Sequence, residues 1–227
     1  MRTHTADGVE LAVCAEGLEK TYGVAAGVGP LDLEVPAGQS VLIIGHNGSG
    51  KSTLLGLIAG VLEPTGGAVE VFGVEPSSLT GRATLSYLPD APVLYDDLSV
   101  REHVQYVNRL HGADSSQAEL DALLERVGLA DRADELPSRF SRGLRQRTAI
   151  AVALCRPFSL LLVDEPFVGL DETGRDAFVA LLDEVHARGA TVLVATHDPA
   201  RLAHFDRVVE LSDAQLVSDR ELDNSTR

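Results

Sequence analysis

Short apolar runs along this chain alternate with glycine-containing loops and with longer stretches of helical pattern. Residues 41–44 form an apolar run that ends at Gly45, and the apolar residues of 52–61 then suit a helix. The order is strand, glycine loop, helix. Residues 160–163 and 191–195 are two further apolar, β-branched runs bounded by polar residues, long enough for buried strands of a parallel sheet. Between them, residues 172–188 predict a helix, with Asp171 placed to cap it and Gly189 to end it. Strand, helix and strand in that order imply an α/β core.

The middle of the chain, about residues 92–156, has a different texture, and strand-like runs disappear from it. Ser99 with Glu102, and Ser116 with Glu119, have the spacing at which hydroxyl and carboxylate satisfy the exposed amides of a helix start. Leu120, Leu123, Leu124 and Val127 then follow the i, i+3, i+4, i+7 rhythm up to Gly128. This stretch predicts a helical lobe inserted between core strands. Residues 9–35 and 68–72 are β-rich and punctuated by glycine, which predicts a small, mostly antiparallel sheet. The polar end, residues 218–227, is expected to be a frayed tail.

A length of 227 residues with 44% hydrophobic content supports one domain with a substantial core. Lys and Arg number 19 against 34 Asp and Glu, so the formal net charge is −15, which disfavours broad contact with nucleic acid or anionic lipid. The two cysteines, Cys14 and Cys155, lack metal-ligand spacing and make no disulfide framework, which fits a reducing cytosol. The polar N-terminus does not read as a secretory signal. No run approaches the roughly 18 apolar residues that span a bilayer, so a membrane role is expected only through a partner.

The strongest chemical signal is the octet Gly45, His46, Asn47, Gly48, Ser49, Gly50, Lys51 and Ser52, a P-loop set between a strand and a helix. Its glycines let backbone amides curl around a phosphate. The helix N-terminus adds partial positive charge, Lys51 can reach the β- and γ-phosphates, and the Ser52 hydroxyl can ligate Mg²⁺. A second strand, residues 160–163, delivers Asp164 and Glu165 at its carboxyl end, where ligands bind in open α/β sheets. Asp164 is the candidate for the Mg²⁺ shell, and Glu165 for the general base that polarises an attacking water.

P-loop ATPases, GTPases and small-molecule kinases share those two elements, so the stretch between them decides the family. Ser141-Arg142-Gly143-Leu144-Arg145-Gln146-Arg147 opens a helix there and resembles the signature of ABC (ATP-binding cassette) ATPases, usually Leu-Ser-Gly-Gly-Gln followed by Arg-Gln-Arg. Ser141, Gly143 and the run from Arg145 to Arg147 match, whereas Phe140, Arg142 and Leu144 depart. Further matches follow in family order. Tyr22 resembles the aromatic residue that stacks on adenine, Gly169-Leu170-Asp171 the loop that crosses the dimer interface, and His197 the switch histidine that contacts the γ-phosphate.

The resemblance implies an α/β fold in which a P-loop NTPase core with a parallel sheet carries a small antiparallel β lobe and an inserted α-helical lobe. Core and β lobe are expected in about residues 1–91 and 157–227, and the helical lobe in about 92–156. It also implies Mg²⁺ and ATP, the latter held between the P-loop (Gly45 to Thr53) of one subunit and Ser141 and Gly143 of another. ATP then closes a head-to-tail homodimer or heterodimer and hydrolysis reopens it. The implied partner is a transmembrane permease subunit docking near residues 90–106, with this chain peripheral on the cytoplasmic face of the cell membrane.

One departure bears on mechanism. The family usually has glutamine where Tyr87-Leu88-Pro89 leads into Asp90, so Asp90 is a candidate for sensing metal and attacking water, at the cost of added negative charge near the triphosphate. With the altered signature, this resembles bacterial cassettes of type-2 ABC exporters. Two alternatives stand beside a transport ATPase: a regulatory cassette that binds ATP with little hydrolysis, and a soluble cassette outside transport.

Overall fold

The computed structural model describes residues 3, 8–23, 25–199, 202 and 205–222. The elements run β1 (Leu11–Tyr22), β2 (Ala25–Pro36), β3 (Ser40–Ile44), α1 (Lys51–Ile58), β4 (Gly66–Val71), α2 (Leu79–Thr84), β5 (Leu85–Leu88), α3 (Val100–Leu110), α4 (Gln117–Arg126), α5 (Arg142–Leu154), β6 (Leu160–Asp164), α6 (Glu172–Ala187), β7 (Thr191–Thr196), β8 (Arg207–Ser212) and β9 (Gln215–Glu221). They form two compact units. The first holds residues 1–87, 158–165 and 183–227, and the second holds 88–157 and 166–182. The second therefore includes residues 166–182, a stretch that the sequence reading gave to the core.

In the first unit a six-stranded sheet has the order β5-β6-β7-β3-β8-β9. Strands β6, β7, β3 and β8 run parallel to one another, and β9 returns antiparallel to β8. Every residue of β6 and β7 is buried, as expected of strands that must be apolar on both faces. The register places Ile44 beside Thr196 and Asp164 beside Ala195, so β3, β6 and β7 end together. A separate antiparallel sheet, β2-β1-β4, realises the β-rich pattern of the N-terminal region. Leu54, Leu55, Leu57 and Ile58 of α1 join residues of both sheets in one apolar core.

In the second unit both expected capping boxes form, Ser99 with Glu102 at α3 and Ser116 with Glu119 at α4. Val100, Val104, Leu120, Leu124 and Ile150 are buried. Asn108 Nδ2 donates to the Cys155 carbonyl at 2.6 Å, tying α3 to the end of α5.

Two expectations need correction, and one element has no counterpart among them. Residues 218–221 are not a frayed tail but half of β9, whose backbone pairs with β8 and whose Asp219 takes the Arg207 guanidinium; 223–227 lie outside the described residues. Backbone pairing is indifferent to side-chain polarity, and charged residues are common on edge strands. The helix expected over 52–61 ends at Ile58, because Gly60 takes a left-handed φ of 67° and lies against Ser77. The short α2 carried no helical periodicity of its own and went unforeseen.

Candidate functional site

The common ending of β3, β6 and β7 brings together three of the residues singled out by sequence. Gly45 follows β3, Glu165 follows β6 and His197 follows β7. Lys51 Nζ donates to the carbonyls of Gly45 at 2.8 Å and His46 at 3.2 Å, and lies 3.6 Å from Glu165 Oε1. The other Glu165 oxygen, Oε2, accepts from His197 Nδ1 at 2.8 Å, and at longer range from the Thr196 hydroxyl and the His197 amide. One carboxylate thus stands between a lysine and a histidine. An ionised carboxylate can only accept, so this contact is made by the His197 tautomer that carries its proton on Nδ1.

Glu165 has a φ of 45°, in the left-handed region that non-glycine residues rarely occupy. Its amide is held by the Ala195 carbonyl at 2.9 Å, which fixes the turn off β6. Local backbone strain of this kind concentrates at functional sites. The side chain is 13% exposed, whereas His197 is half exposed. Asp164, one residue earlier, is fully buried at the strand end.

The glycine loop has the shape its spacing predicts. A Cβ on Gly45 would fall 2.3 Å from the Leu211 carbonyl, and one on Gly50 would fall 2.5 Å from the Gly27 carbonyl. Gly48 and Gly50 have φ of 84° and 105°. Helix α1 starts at Gly50 without any side-chain cap, so its first amides are left for a ligand. Ser52 is exposed and Thr53 half-buried in that first turn, and Ser49 is buried beneath it. His46 Nδ1 meets the Asn47 carbonyl at 2.9 Å, and its Nε2 lies 3.8 Å from Asp213. A support unread from sequence is the turn between β8 and β9: the Ala214 amide donates to the Ser49 carbonyl at 3.2 Å, and its carbonyl accepts from Gly29 at 2.7 Å. Its sequence signal is a single turn-forming residue, Asp213.

Tyr22 ends β1, half exposed, with the Lys20 ammonium 5.7 Å from its ring centroid. Asp90, Ser141 and Gly143 belong to the second unit. Asp90 is half-buried just past β5. Ser141 is the exposed N-cap of α5 and accepts from the Leu144 amide at 3.4 Å. Gly143 has no room for a side chain, since a Cβ would lie 2.3 Å from the Gly169 carbonyl. Asp171 caps α6 through the Gly174 amide at 2.9 Å and binds Arg147 at 2.5 Å. Those two contacts, the amide first, hold its carboxyl below the ordinary value.

A parallel sheet that ends in a glycine loop, an uncapped helix and a lysine turned toward the strand ends defines a P-loop nucleotide-binding protein. The sequence profile described as ABC transporter matches residues 28–168. The chain is 39% identical over 215 residues to the aliphatic sulfonates import ATP-binding protein SsuB 1 of Mesorhizobium japonicum, covering 93% of this chain and 79% of that protein. It is 35% identical over 199 residues to the macrolide export ATP-binding/permease protein MacB of Rhodopseudomonas palustris, covering 84% of this chain and 30% of that one. The chain thus spans about a third of the length of the macrolide-export relatives it matches. Among solved structures, an ATP-binding subunit of an ABC transporter superposes with a TM-score of 0.85 at 31% identity, over 94% of this chain and 91% of that one. A dimeric ATP-binding cassette in a post-hydrolysis state with ADP and Pi gives 0.84 at 25% identity, over 92% and 98%. The chain belongs to the ABC transporter family, as an ATP-binding cassette of the ABC ATPase class.

Proposed function

We propose that this chain binds ATP between two copies, or between itself and a related cassette, and hydrolyses it to drive a membrane permease, in the direction of export. The observation that carries the reading is the Glu165 carboxylate held between Lys51 and His197 at the shared ends of three parallel strands. In it, the amides of Gly45 to Thr53 cradle the phosphates, Lys51 meets the β- and γ-phosphates, and Tyr22 stacks on the adenine. Glu165 takes the proton of the attacking water, and His197 orients the carboxylate through Nδ1. Asp90 is the second candidate for contact with that water or with the metal shell.

Mg²⁺, when bound, neutralises charge developing on the phosphates. Ser52 and Asp164 would hold it. A hydroxyl and a buried carboxylate are hard oxygen donors, and the described residues contain no group of three or more His, Cys, Asp or Glu able to hold a metal alone. That donor set suits Mg²⁺, which completes its shell with substrate phosphates and water. Ser141 and Gly143 complete the site of the opposing subunit. Ser141 is exposed at the N-cap of α5, so the start of that helix can present its partial positive charge to a γ-phosphate.

No helix among the described residues is long and apolar enough to cross a membrane. In this reading coupling runs through a membrane permease, with the cassette on its cytoplasmic face. Val93, Tyr95 and Tyr106 are exposed on the second unit, with the two tyrosine rings edge to face at 5.7 Å, and supply an apolar docking surface for it. The buried His103 steadies that surface by accepting from the Tyr95 amide at 2.9 Å. The resemblance to type-2 exporters and the macrolide-export relatives supports export, whereas the sulfonate-import relative marks the opposite direction as the competing one.

Turnover of ATP by the purified chain with its membrane partner, with and without Mg²⁺, tests the enzymatic reading. Binding without turnover would instead establish a regulatory cassette. For direction, cargo movement in vesicles reconstituted with the membrane permease is the test, and ATP-driven uptake in the import sense would reverse the assignment.

A further inference from the structure

We propose that Gly27 is a positioning residue for the nucleotide base: it sets where the Tyr22 ring stands, and thereby how tightly a stacked purine is held. The inference rests on the reading of Tyr22 as the base-stacking residue. Tyr22 and Gly27 lie on the paired strands β1 and β2, near the turn that joins them. A Cβ on Gly27 would fall 2.6 Å from Tyr22 Cε2 and 3.0 Å from Cδ2. The ring therefore occupies space that any other residue would fill. Gly27 has no left-handed φ, so glycine is needed there for room and not for backbone freedom.

The same residue touches the phosphate cradle. Its carbonyl is the atom that a Cβ on Gly50 would meet at 2.5 Å, and the neighbouring Val28 side chain lies 3.5 Å from that same position. One residue thus abuts the ring on one side and the P-loop on the other. The ring is otherwise half exposed, steadied by the Lys20 ammonium, which is itself held by the Glu63 carbonyl at 2.6 Å. Adding a methyl at position 27 forces the ring to retreat by about 1 Å to reach ordinary carbon–carbon contact. The Lys20 carbonyl, 3.1 Å from the same position, is the only backbone atom among the three nearest neighbours, whereas the half-exposed ring is both nearer and free to turn, so the ring yields before the cradle does. Base and triphosphate are covalently joined, so a ring displaced against a stationary cradle stacks out of register.

The test is equilibrium titration of the full chain with ATP and with inorganic tripolyphosphate, which has no base. Tyr22→Ala should weaken ATP roughly tenfold, within what base–aromatic stacking supplies. Gly27→Ala should weaken it roughly fivefold by the same mechanism, and the double variant should match Tyr22→Ala alone. Tripolyphosphate affinity should be the same in all four proteins. A Gly27→Ala loss that persists in full in the Tyr22→Ala background, or that appears equally with tripolyphosphate, overturns the inference and makes Gly27 a support of the P-loop. Unchanged ATP affinity in Tyr22→Ala removes the base-stacking reading itself, and the inference with it. Because the chain contains no tryptophan, Tyr22→Trp adds a single fluorescent reporter at the ring position. Adding Gly27→Ala to it should shift the emission to the red as the ring moves toward solvent; identical spectra would overturn the proposal.

Discussion

The two helix starts that the proposed function assigns to the phosphates are built in opposite ways. Helix α1 begins at a left-handed glycine with no side-chain cap, and Lys51, Glu165 and His197 gather at the strand ends beside it. Helix α5 begins at Ser141, whose hydroxyl already accepts from an amide, though at a long 3.4 Å. Around α5 the second unit supplies spacing in place of reactive groups: Gly143 against Gly169, and Arg147 on Asp171. In the proposed function the first unit thus carries Lys51, Glu165 and His197 together within one chain, whereas the start of α5 in the second would act only against an opposing subunit.

Substitutions can break that comparison at either end. The largest effect on binding is expected from Lys51→Ala, which removes the ammonium at the P-loop; ATP affinity should fall by roughly 100-fold or more, since hydrogen bonds to charged groups contribute about 1.5–3 kcal/mol each. Titration with a fluorescent ATP analogue measures it, and unchanged affinity would remove the P-loop from the reading. The largest effect on turnover is expected from Glu165→Gln. It keeps shape and reach but removes the basic oxygen, so turnover should fall by two to four decades, about 3–5 kcal/mol of barrier, with ATP affinity little changed. Size exclusion with ATP and Mg²⁺ should then show a long-lived dimer. Near-normal turnover would pass the role of base to Asp90 or His197.

Ser141→Arg sharpens the comparison from the other side. Monomeric ATP binding should survive, while the dimer trapped by Glu165→Gln should be lost in the double variant, because the bulky cation replaces an exposed cap at the start of α5. A dimer that persists would mean that the altered signature lies outside the site. The smallest effect belongs to Asp171. Its carboxyl is depressed by the Gly174 amide and by Arg147, so it stabilises the fold above the ordinary value of 3.8 and that contribution is lost as pH falls through its lower folded value. Asp171→Asn should lower the melting temperature slightly at pH 7, and the difference should vanish on acidification; a gap that persists in acid would refute the linkage.

The local order of residues was enough for the elements whose physics is local. The apolar runs before Gly45 and before Asp164, the capping boxes at Ser99 and Ser116, and the glycine loop itself depend on periodicity, caps and backbone freedom within a few residues, and all were legible. The polar strand β9 was not, because its place depends on backbone bonds to β8 and on Arg207, a distant partner that leaves no mark in the pattern of 215–221. The meeting of Lys51, Glu165 and His197 is likewise tertiary. Each motif predicted its own strand end, but only the parallel register of β3, β7 and β6 places the three ends together. Gly27 carries the point furthest: among neighbouring alanines and glycines nothing distinguished it, and its meaning comes from a tyrosine ring on one side and a phosphate loop on the other, brought to it by the fold.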